Sequence, residues 1–295
     1  VEVSLMLDVT GSMAGSKIST LKDAASDLVD TIIWADQSQY TSRMAIVPFA
    51  PGVNVGSYFT AVTNQSTTQT SSGWGGWGWG WGWGSSTITI DPCVVDRTGT
   101  YAYKDDAPGS GKWIPTYFDA TNDATCDPSA SIVPLTANKT TLKNLITSLN
   151  ASGGTAGPLG TAWAWYMISP NWASIWGTNS APGSYADVTT LNSNGQAKLK
   201  KIAVLMTDGD YNIMSGVNAT QSTANTAAQS ICTAMKAKGI EIYTVGFELD
   251  STAARTVLTN CATDTSHFYD ASSEAQLVAA FRDIALKISS LRLTN

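Results

Sequence analysis

Histidine and charge are both scarce in this chain of 295 residues. It contains a single histidine, His267, and charged residues make up only 14% of the sequence. With one imidazole available, a histidine-assisted nucleophile or a histidine zinc site is hard to build. No Gly-x-Ser-x-Gly sequence is present either. We therefore expect no enzymatic activity and interpret His267 as a structural or surface residue.

Basic residues and long apolar runs are also lacking. The 17 basic residues are outnumbered by 23 acidic ones, which gives a formal net charge of −6. Without a basic patch, nucleic acid is not expected as a partner. No run approaches the roughly 20 apolar residues of a membrane span. The chain opens directly on a strand pattern, so we expect an anchor or signal segment upstream that this sequence does not include.

The four cysteines lack the Cys-x-x-Cys spacing of zinc and redox sites. Their even number, in a chain that is rich in Thr, Ser, Asn and Gly, favours disulfides and an extracytoplasmic setting. We expect Cys93 to pair with Cys126 and Cys232 to pair with Cys261. Four reduced, buried thiols in a cytosolic protein are the alternative.

Strand and helix patterns alternate along most of the chain. Apolar runs predict strands at 3–7, 43–49, 201–206, 241–247 and 267–270. Helical spacing predicts helices at 17–33, 139–149, 159–167, 218–238, 253–261 and 273–291. Such alternation calls for a doubly wound, mostly parallel sheet flanked by helices in one α/β domain, 1–295. An inserted, loop-rich region at 51–138 interrupts it.

Oxygen-bearing side chains follow apolar runs at three distant places in the sequence. The segments are Asp8-Val9-Thr10-Gly11-Ser12, Gly153-Gly154-Thr155 and Thr207-Asp208-Gly209-Asp210. In α/β folds, ligands bind in the crevice beyond the carboxyl ends of the strands. Carboxylate and hydroxyl oxygens suit Mg²⁺, Ca²⁺ or Mn²⁺, so together the segments predict a divalent-cation site. A plainer interpretation is that Asp8 and Ser12 cap the helix that follows.

Asp-x-Thr-x-Ser with a distant Gly-Gly-Thr and a later Thr-Asp-Gly resembles the metal-ion-dependent adhesion site (MIDAS) of von Willebrand factor A domains. The resemblance implies a doubly wound fold and a cation, Mg²⁺ or alternatively Ca²⁺ or Mn²⁺, that a partner's Asp or Glu completes. It implies the metal ligands Asp8, Thr10, Ser12, Thr155 and Asp208. Thr10 stands where the family usually has Ser, which keeps the hydroxyl. Asp210 is a further candidate that would orient the ligands or hold water.

Further segments are similar to the A domain of bacterial tight-adherence (Tad) pilus assembly proteins of the TadG type. They are 7–13 with Lys17, 45–49, Cys93-Val94-Val95-Asp96-Arg97-Thr98-Gly99 and 206–209. The resemblance implies an envelope protein, a pilus-associated adhesin or assembly factor, with pilus components as partners. In that family a membrane helix precedes the A domain.

The inserted region contains an unusual tract, 73–84, in which Trp and Gly nearly alternate. Its tryptophans are Trp74, Trp77, Trp79, Trp81 and Trp83. An extended tract would place most indoles on one face, which could contact a glycan, a surface or a partner. The tract could equally pack on the insertion itself or remain a low-complexity loop. A second polar stretch, 168–196, is interpreted as a surface excursion near the metal crevice.

Two other functions are compatible with parts of the pattern. In the first, the metal is structural and the aromatic tract provides recognition. In the second, the segment from Gly11 to Lys17 is the phosphate loop of a nucleotide hydrolase. The spacing between its glycines is one residue short of that motif, and Ile18 stands where a metal-binding hydroxyl belongs, which disfavours the second.

Overall fold

The computed structural model describes residues 1–38, 40–73, 84–193 and 195–293. The strands are β1 (Glu2–Asp8), β2 (Arg43–Phe49), β3 (Val53–Asn54), β4 (Thr68–Gly73), β5 (Gly84–Thr89), β6 (Cys93–Val94), β7 (Val133–Thr136), β8 (Lys201–Thr207), β9 (Ile213–Met214), β10 (Val217–Asn218), β11 (Glu241–Phe247) and β12 (Phe268–Ala271). The helices are α1 (Ser16–Ile32), α2 (Phe59–Thr63), α3 (Tyr117–Thr121), α4 (Lys139–Ser148), α5 (Gly157–Ile168), α6 (Ala173–Trp176), α7 (Ala186–Thr189), α8 (Gln221–Ala237), α9 (Thr252–Cys261) and α10 (Glu274–Leu293).

A six-stranded sheet with the order β12-β11-β8-β1-β2-β7 forms the centre of the molecule. The strands from β12 to β2 run parallel, and β7 pairs antiparallel with β2. The central strands β1 and β8 are buried along their whole length, as expected for a parallel sheet covered on both faces. The predicted doubly wound α/β fold is therefore confirmed.

Helices cover both faces of this sheet. Helices α1, α4 and α10 pack on one face, and α5 and α8 pack on the other. Side chains of β1 alternate between the two cores: Leu5 and Leu7 lie in the first and Met6 in the second. Helix α5 is apolar all round and accordingly buried on every side. None of the helices in the described ranges is both long and apolar enough to cross a membrane.

Charged side chains from three adjacent strands meet at the amino end of the sheet. Glu2 of β1 accepts hydrogen bonds from Lys201 of β8 at 2.5 Å and from Arg43 of β2 at 2.6 Å. Glu2 also accepts the backbone N–H of Gly183 at 2.8 Å, and the Lys201 ammonium donates to the Ile168 carbonyl at 2.8 Å. Glu2 and Lys201 are buried. The buried charges of this network are therefore paired with one another and hydrogen-bonded to the backbone.

Short elements of the inserted region pack against α5. Strand β3 pairs with β6, and β4 pairs with β5. Val53, Phe59 and Val94 share one apolar core with α5. Strand β7 lies within the range 51–138 that the sequence assigns to the insertion, yet it forms the edge of the central sheet beside β2.

Two disulfides join the cysteine pairs that the sequence predicts. Cys93 pairs with Cys126 inside the inserted region, and Cys232 pairs with Cys261. The second bridge ties α8 to α9, the helices that flank β11. The alternative of four reduced thiols is not what the structure shows.

The stretch 168–196 is a surface excursion only in its second part, because most residues after Trp176 are exposed or half-buried, whereas the aromatic rings of its first part are buried. Trp172 and Trp176 are buried, and their rings stack at a centroid distance of 5.5 Å. Trp172 also stacks on Tyr166 of α5 at 4.3 Å. The contact of Gly183 with Glu2 places the stretch at the amino end of the sheet, away from the crevice. Burial of these aromatic rings against α5 stabilises the fold more than the polar neighbours favour exposure to solvent. The local sequence pattern does not reveal this burial.

Candidate metal centre

The carboxyl end of β1 turns so that several side-chain oxygens meet. Asp8 is fully buried, and its Oδ1 accepts the backbone N–H and the hydroxyl of Thr10 at 2.9 and 2.6 Å. The Thr10 Oγ1 lies 3.0 Å from the Ser12 Oγ. Helix α1 is preceded by Gly15 and has no side-chain cap. The interpretation of Asp8 and Ser12 as helix caps is therefore wrong.

Two hydrogen bonds connect this turn to the end of β8. The Thr207 hydroxyl donates to Asp8 Oδ2 at 2.6 Å, and the Ser12 hydroxyl donates to Asp208 Oδ1 at 2.6 Å. Because β1 and β8 are adjacent and parallel, their carboxyl ends lie side by side. The structure thus brings Asp8, Thr10, Ser12 and Asp208 into one hydrogen-bonded group, which we call the oxygen cluster.

The loop that carries Thr155 lies against the oxygen cluster. The Gly11 N–H donates to the Gly153 carbonyl at 2.8 Å, which joins the two loops. Thr155 is buried, and its backbone N–H donates to Asn212 Oδ1 at 2.9 Å. Its backbone is thereby attached to the segment that follows β8. Among the described residues, the hydroxyl of Thr155 is not part of the cluster's hydrogen bonds, so its role as a ligand stays a prediction.

Lys17 and Glu248 form the rim of the oxygen cluster. The Lys17 ammonium donates to Asp208 Oδ2 at 3.1 Å and lies 3.4 Å from Glu248 Oε2. Glu248, which directly follows β11, has a φ of +50°, a conformation that is uncommon outside glycine. Asp210 is exposed, and within the described ranges no hydrogen bond or ion pair joins it to the cluster.

Glu248 and Asn212 are residues of this site that sequence reasoning missed, and Thr207 belongs to a predicted segment without a role assigned to it. Thr207 is the last residue of β8, and Glu248 comes one position after the end of β11. Thr207 and Glu248 have the same sequence signal as Asp8, which is a polar side chain at the position where an apolar strand ends. Asn212 carries no such signal, because its contact with Thr155 depends on a loop.

The electrostatics of the cluster are dominated by burial and by two neighbouring carboxylates. Burial, followed by the charge of Asp208, raises the pKa of Asp8 to about 6. The hydroxyl donors Thr10 and Thr207 act in the opposite direction. Within the described part of the chain, Lys17 is the cation paired with this cluster, and it is shared with Glu248. The negative charge around Asp8 is therefore only partly balanced by positive charge.

The donor set of the cluster fits a hard divalent cation. It consists of two carboxylates and two hydroxyls, and neighbouring oxygens lie 2.6 to 3.0 Å apart. All-oxygen sets suit Mg²⁺, Ca²⁺ and Mn²⁺, whereas softer metals prefer Cys or His ligands. Across the described residues, no three His, Cys, Asp or Glu side chains gather as a metal-binding group. Neutral hydroxyls would therefore have to supply part of the ligand set.

The tryptophans of the aromatic tract lie within 74–83, outside the described residues: they are Trp74, Trp77, Trp79, Trp81 and Trp83. The paired strands β4 and β5 end at the partners Gly73 and Gly84 on either side of it.

Comparison with solved structures identifies the fold as that of von Willebrand factor type A domains. The vWF domain of the type V pili tip protein Mfa5 from Porphyromonas gingivalis is 14% identical, with a TM-score of 0.50, over 98% of this chain and 95% of that one. The open conformation of the pilus adhesin SpaC from Lactobacillus rhamnosus GG is 14% identical, with a TM-score of 0.52, over 99% of this chain and 30% of that one. At these identities the similarity establishes the fold alone.

A weaker match is the proximal thread matrix protein 1 from the mussel byssus with a zinc-occupied MIDAS motif. It is 14% identical, with a TM-score of 0.46, over 98% of this chain and 48% of that one. This chain therefore spans less than half the length of the SpaC and byssus proteins. The sequence matches no protein-family model and no curated protein. The Mfa5 and SpaC matches confirm the resemblance to A domains at the level of the fold.

Proposed function

We propose that this chain is a non-enzymatic, metal-dependent protein-binding domain of a bacterial cell envelope, acting in a pilus as an adhesin or assembly factor. The observation that carries the proposal is the oxygen cluster at the carboxyl edge of a doubly wound sheet, where such folds bind ligands. The fold shared with a pilus tip domain and a pilus adhesin supports the pilus role. The sequence motifs similar to those of TadG-type proteins support a Tad pilus in particular.

The ligand set that we assign to the cation is Asp8, Thr10, Ser12, Thr155 and Asp208, with Asp210 as a candidate for orienting it. A bound Mg²⁺, or alternatively Ca²⁺ or Mn²⁺, would supply a Lewis-acidic position for a carboxylate oxygen. Asp8 and Asp208 offset its charge, but Asp208 also bonds to the Lys17 ammonium. The neutral hydroxyls of Thr10 and Ser12 add no charge. An Asp or Glu of a protein partner is therefore favoured as the completing ligand.

Two disulfides support an extracytoplasmic location, because such bonds persist in oxidising compartments. A bacterial envelope is the setting that agrees with both the disulfides and a pilus.

The first experiment titrates Mg²⁺ and Mn²⁺ calorimetrically into the wild-type chain and into Asp8→Asn and Asp208→Asn. We expect binding by the wild type and a loss of at least about tenfold in each variant, because each removes a charged ligand. Asp30→Asn is the matched control, since Asp30 lies on α1 and pairs with Lys143. Equal metal binding by Asp8→Asn and the wild type would overturn the site.

The second experiment tests the partner's carboxylate. Fluorescence anisotropy compares a labelled peptide with a central Asp to the same peptide with Asn, in Mg²⁺ and in EDTA. We expect binding of the Asp peptide alone, in Mg²⁺ alone, and none by Asp208→Asn. Metal binding without any preference for the Asp peptide would contradict the adhesive role and favour the structural-metal alternative.

A second candidate function assigns recognition to the aromatic tract, which would bind a glycan, a surface or a partner while the metal is structural. The pairing of β4 and β5 up to Gly73 and Gly84 favours it, because it holds the two ends of the tract together. In that case Trp79→Ser with Trp81→Ser abolishes binding, and EDTA lowers the melting temperature without affecting binding. If the double variant lowers the melting temperature alone, the tract has a packing role. A P-loop-like nucleotide hydrolase, the least supported possibility, would require saturable ATP binding at micromolar concentration.

A further inference from the structure

Lys17 is not one of the five ligands assigned to the cation, yet its ammonium reaches the oxygen cluster. The residue lies in the first turn of α1. Its Nζ lies 3.1 Å from Asp208 Oδ2 and 3.4 Å from Glu248 Oε2. The same ammonium lies 5.4 Å from the centre of the Phe247 ring. One cationic side chain is therefore shared between a proposed metal ligand and the end of β11.

The contact of Lys17 with Asp208 opposes metal binding. Asp208 Oδ1 accepts the Ser12 hydroxyl at 2.6 Å, and Oδ2 accepts the Lys17 ammonium. Two positive charges at one carboxylate repel each other, so an ammonium and a divalent cation compete for Asp208. The Asp208 side chain is fully buried, whereas that of Lys17 is 23% exposed. Lys17 is therefore the partner with room to move.

The end of β11 offers the Lys17 ammonium a place outside the oxygen cluster. Glu248 provides a carboxylate and Phe247 an aromatic face, and neither residue belongs to the cluster. Lysine carries its charge on a flexible stem of four carbons, so the ammonium can turn from one carboxylate to another without a change in the backbone. Loss of the bond to Asp208 consequently leaves the other two contacts of Lys17 intact.

The backbone of Glu248 is held in a conformation that is unfavourable for a residue with a side chain. Its φ is +50°, and its N–H donates to the Ala271 carbonyl at 2.7 Å, which joins it to the end of β12. Non-glycine residues keep such a conformation only where the surroundings hold them in it, and these places cluster at functional sites. Here the strained residue is the one that carries the second acceptor for Lys17.

We propose that Lys17 is a tethered competitor of the divalent cation, and that Glu248 is a positioning residue that retains the Lys17 ammonium when the cation takes Asp208. This inference rests on the proposed metal centre and adds its regulation. Glu248 acts through Lys17 and does not touch the cation. The balance between the two carboxylates then sets the concentration of cation at which the centre fills.

The first experiment is a double-mutant cycle in which Mn²⁺ binding is measured calorimetrically on the full chain. We expect Glu248→Gln to weaken Mn²⁺ binding by about 3- to 10-fold, because a displaced Lys17 ammonium then lacks a carboxylate. In the background of Lys17→Met, the same substitution should change the affinity by less than about twofold, because no ammonium has to be retained. Asp250→Asn is the matched control, since it removes an exposed carboxylate two positions further along the chain.

The cycle separates this inference from the proposed function. Absence of Mn²⁺ binding in the wild type would contradict the metal centre itself. Mn²⁺ binding of equal strength in the wild type and Glu248→Gln would overturn the inference alone. An equal loss in the two backgrounds would overturn it too, because the Glu248 charge would then act on the cation directly.

Crystals of the wild type grown in EDTA and in Mn²⁺ provide a second readout that does not depend on any variant. In EDTA we expect the Lys17 ammonium to contact both Asp208 and Glu248. In crystals with Mn²⁺ bound at the oxygen cluster, we expect it to contact Glu248 but not Asp208. A Lys17 ammonium that keeps its bond to Asp208 beside bound Mn²⁺ would refute the competition.

Discussion

The buried carboxylates at the two ends of the central sheet differ in whether a cationic side chain pairs with them. At the amino end, Glu2 bonds to two cations, Lys201 and Arg43, and to a backbone N–H. At the carboxyl end, Asp8 receives hydroxyl and backbone donors and, among the described residues, no cation. The first network is complete in itself, so its role is to hold three strands together. The second lacks positive charge, and a bound cation would supply it.

The largest expected effect comes from breaking the amino-end network. Glu2→Gln leaves the buried Lys201 ammonium without its carboxylate, and we expect a loss of about 3–5 kcal/mol in the free energy of unfolding. Asp8→Asn, measured in EDTA, should cost less than about 1 kcal/mol, because it removes a buried charge that has no cationic partner. Urea denaturation of both variants measures the difference. Equal losses would contradict the contrast between the two ends.

Metal addition should stabilise the chain through the carboxyl end alone. At a Mg²⁺ concentration of about 100 times Kd, we expect a gain of about 2.7 kcal/mol in the wild type. Asp208→Asn should show no gain, whereas Glu2→Gln, though less stable, should retain it. Chemical denaturation with and without Mg²⁺ provides the measurement. A gain in Asp208→Asn would mean that the cation binds elsewhere.

Asp96 sharpens the comparison, because it is a buried carboxyl that has neither a cation nor a hydroxyl donor among the described residues. Its pKa is raised from 3.8 to about 6, chiefly by burial. The folded chain therefore holds this proton more tightly than the unfolded chain. This contribution to the free energy of unfolding is complete below about pH 4 and is lost as the pH rises through about 6, a decrease on the order of 3 kcal/mol. In Asp96→Asn this component should be absent from the pH dependence of the unfolding free energy. Parallel wild-type and variant profiles would refute it.

The smallest effect concerns Lys17, which occupies Asp208 Oδ2 at 3.1 Å. Lys17→Met frees that oxygen for a cation and removes a competing positive charge. We expect Mn²⁺ affinity to rise by roughly 3- to 10-fold, which corresponds to about 1 kcal/mol. Lys22→Met is the control, because Lys22 lies on α1 and bonds to the Thr147 carbonyl instead of a carboxylate. A fall in affinity in Lys17→Met would show that Lys17 supports the site.

The main elements of the fold could be predicted because their signals are local. Apolar runs locate β1 and β8, and helical spacing locates α1 and α8. Strand β7 was not predicted, because four residues that include Pro134 make a weak strand pattern, and pairing with β2 defines it. The burial of Trp172 and Trp176 likewise depends on rings that are distant from any local pattern.

The candidate site was predictable in composition but not in its connections. The sequence places Asp8, Ser12 and Asp208 at strand ends, where topology brings them together. It contains no information on which hydroxyl bonds to which carboxylate, such as Thr207 to Asp8.

The hydrogen bonds that assemble the oxygen cluster join residues 196 and 199 positions apart. During synthesis, a nascent chain lacks the oxygen cluster until β8 has emerged and has paired with β1. Such non-local pairing forms late, since a long loop must close first. Copies that are truncated before β8, or in which β8 does not pair with β1, consequently lack the oxygen cluster.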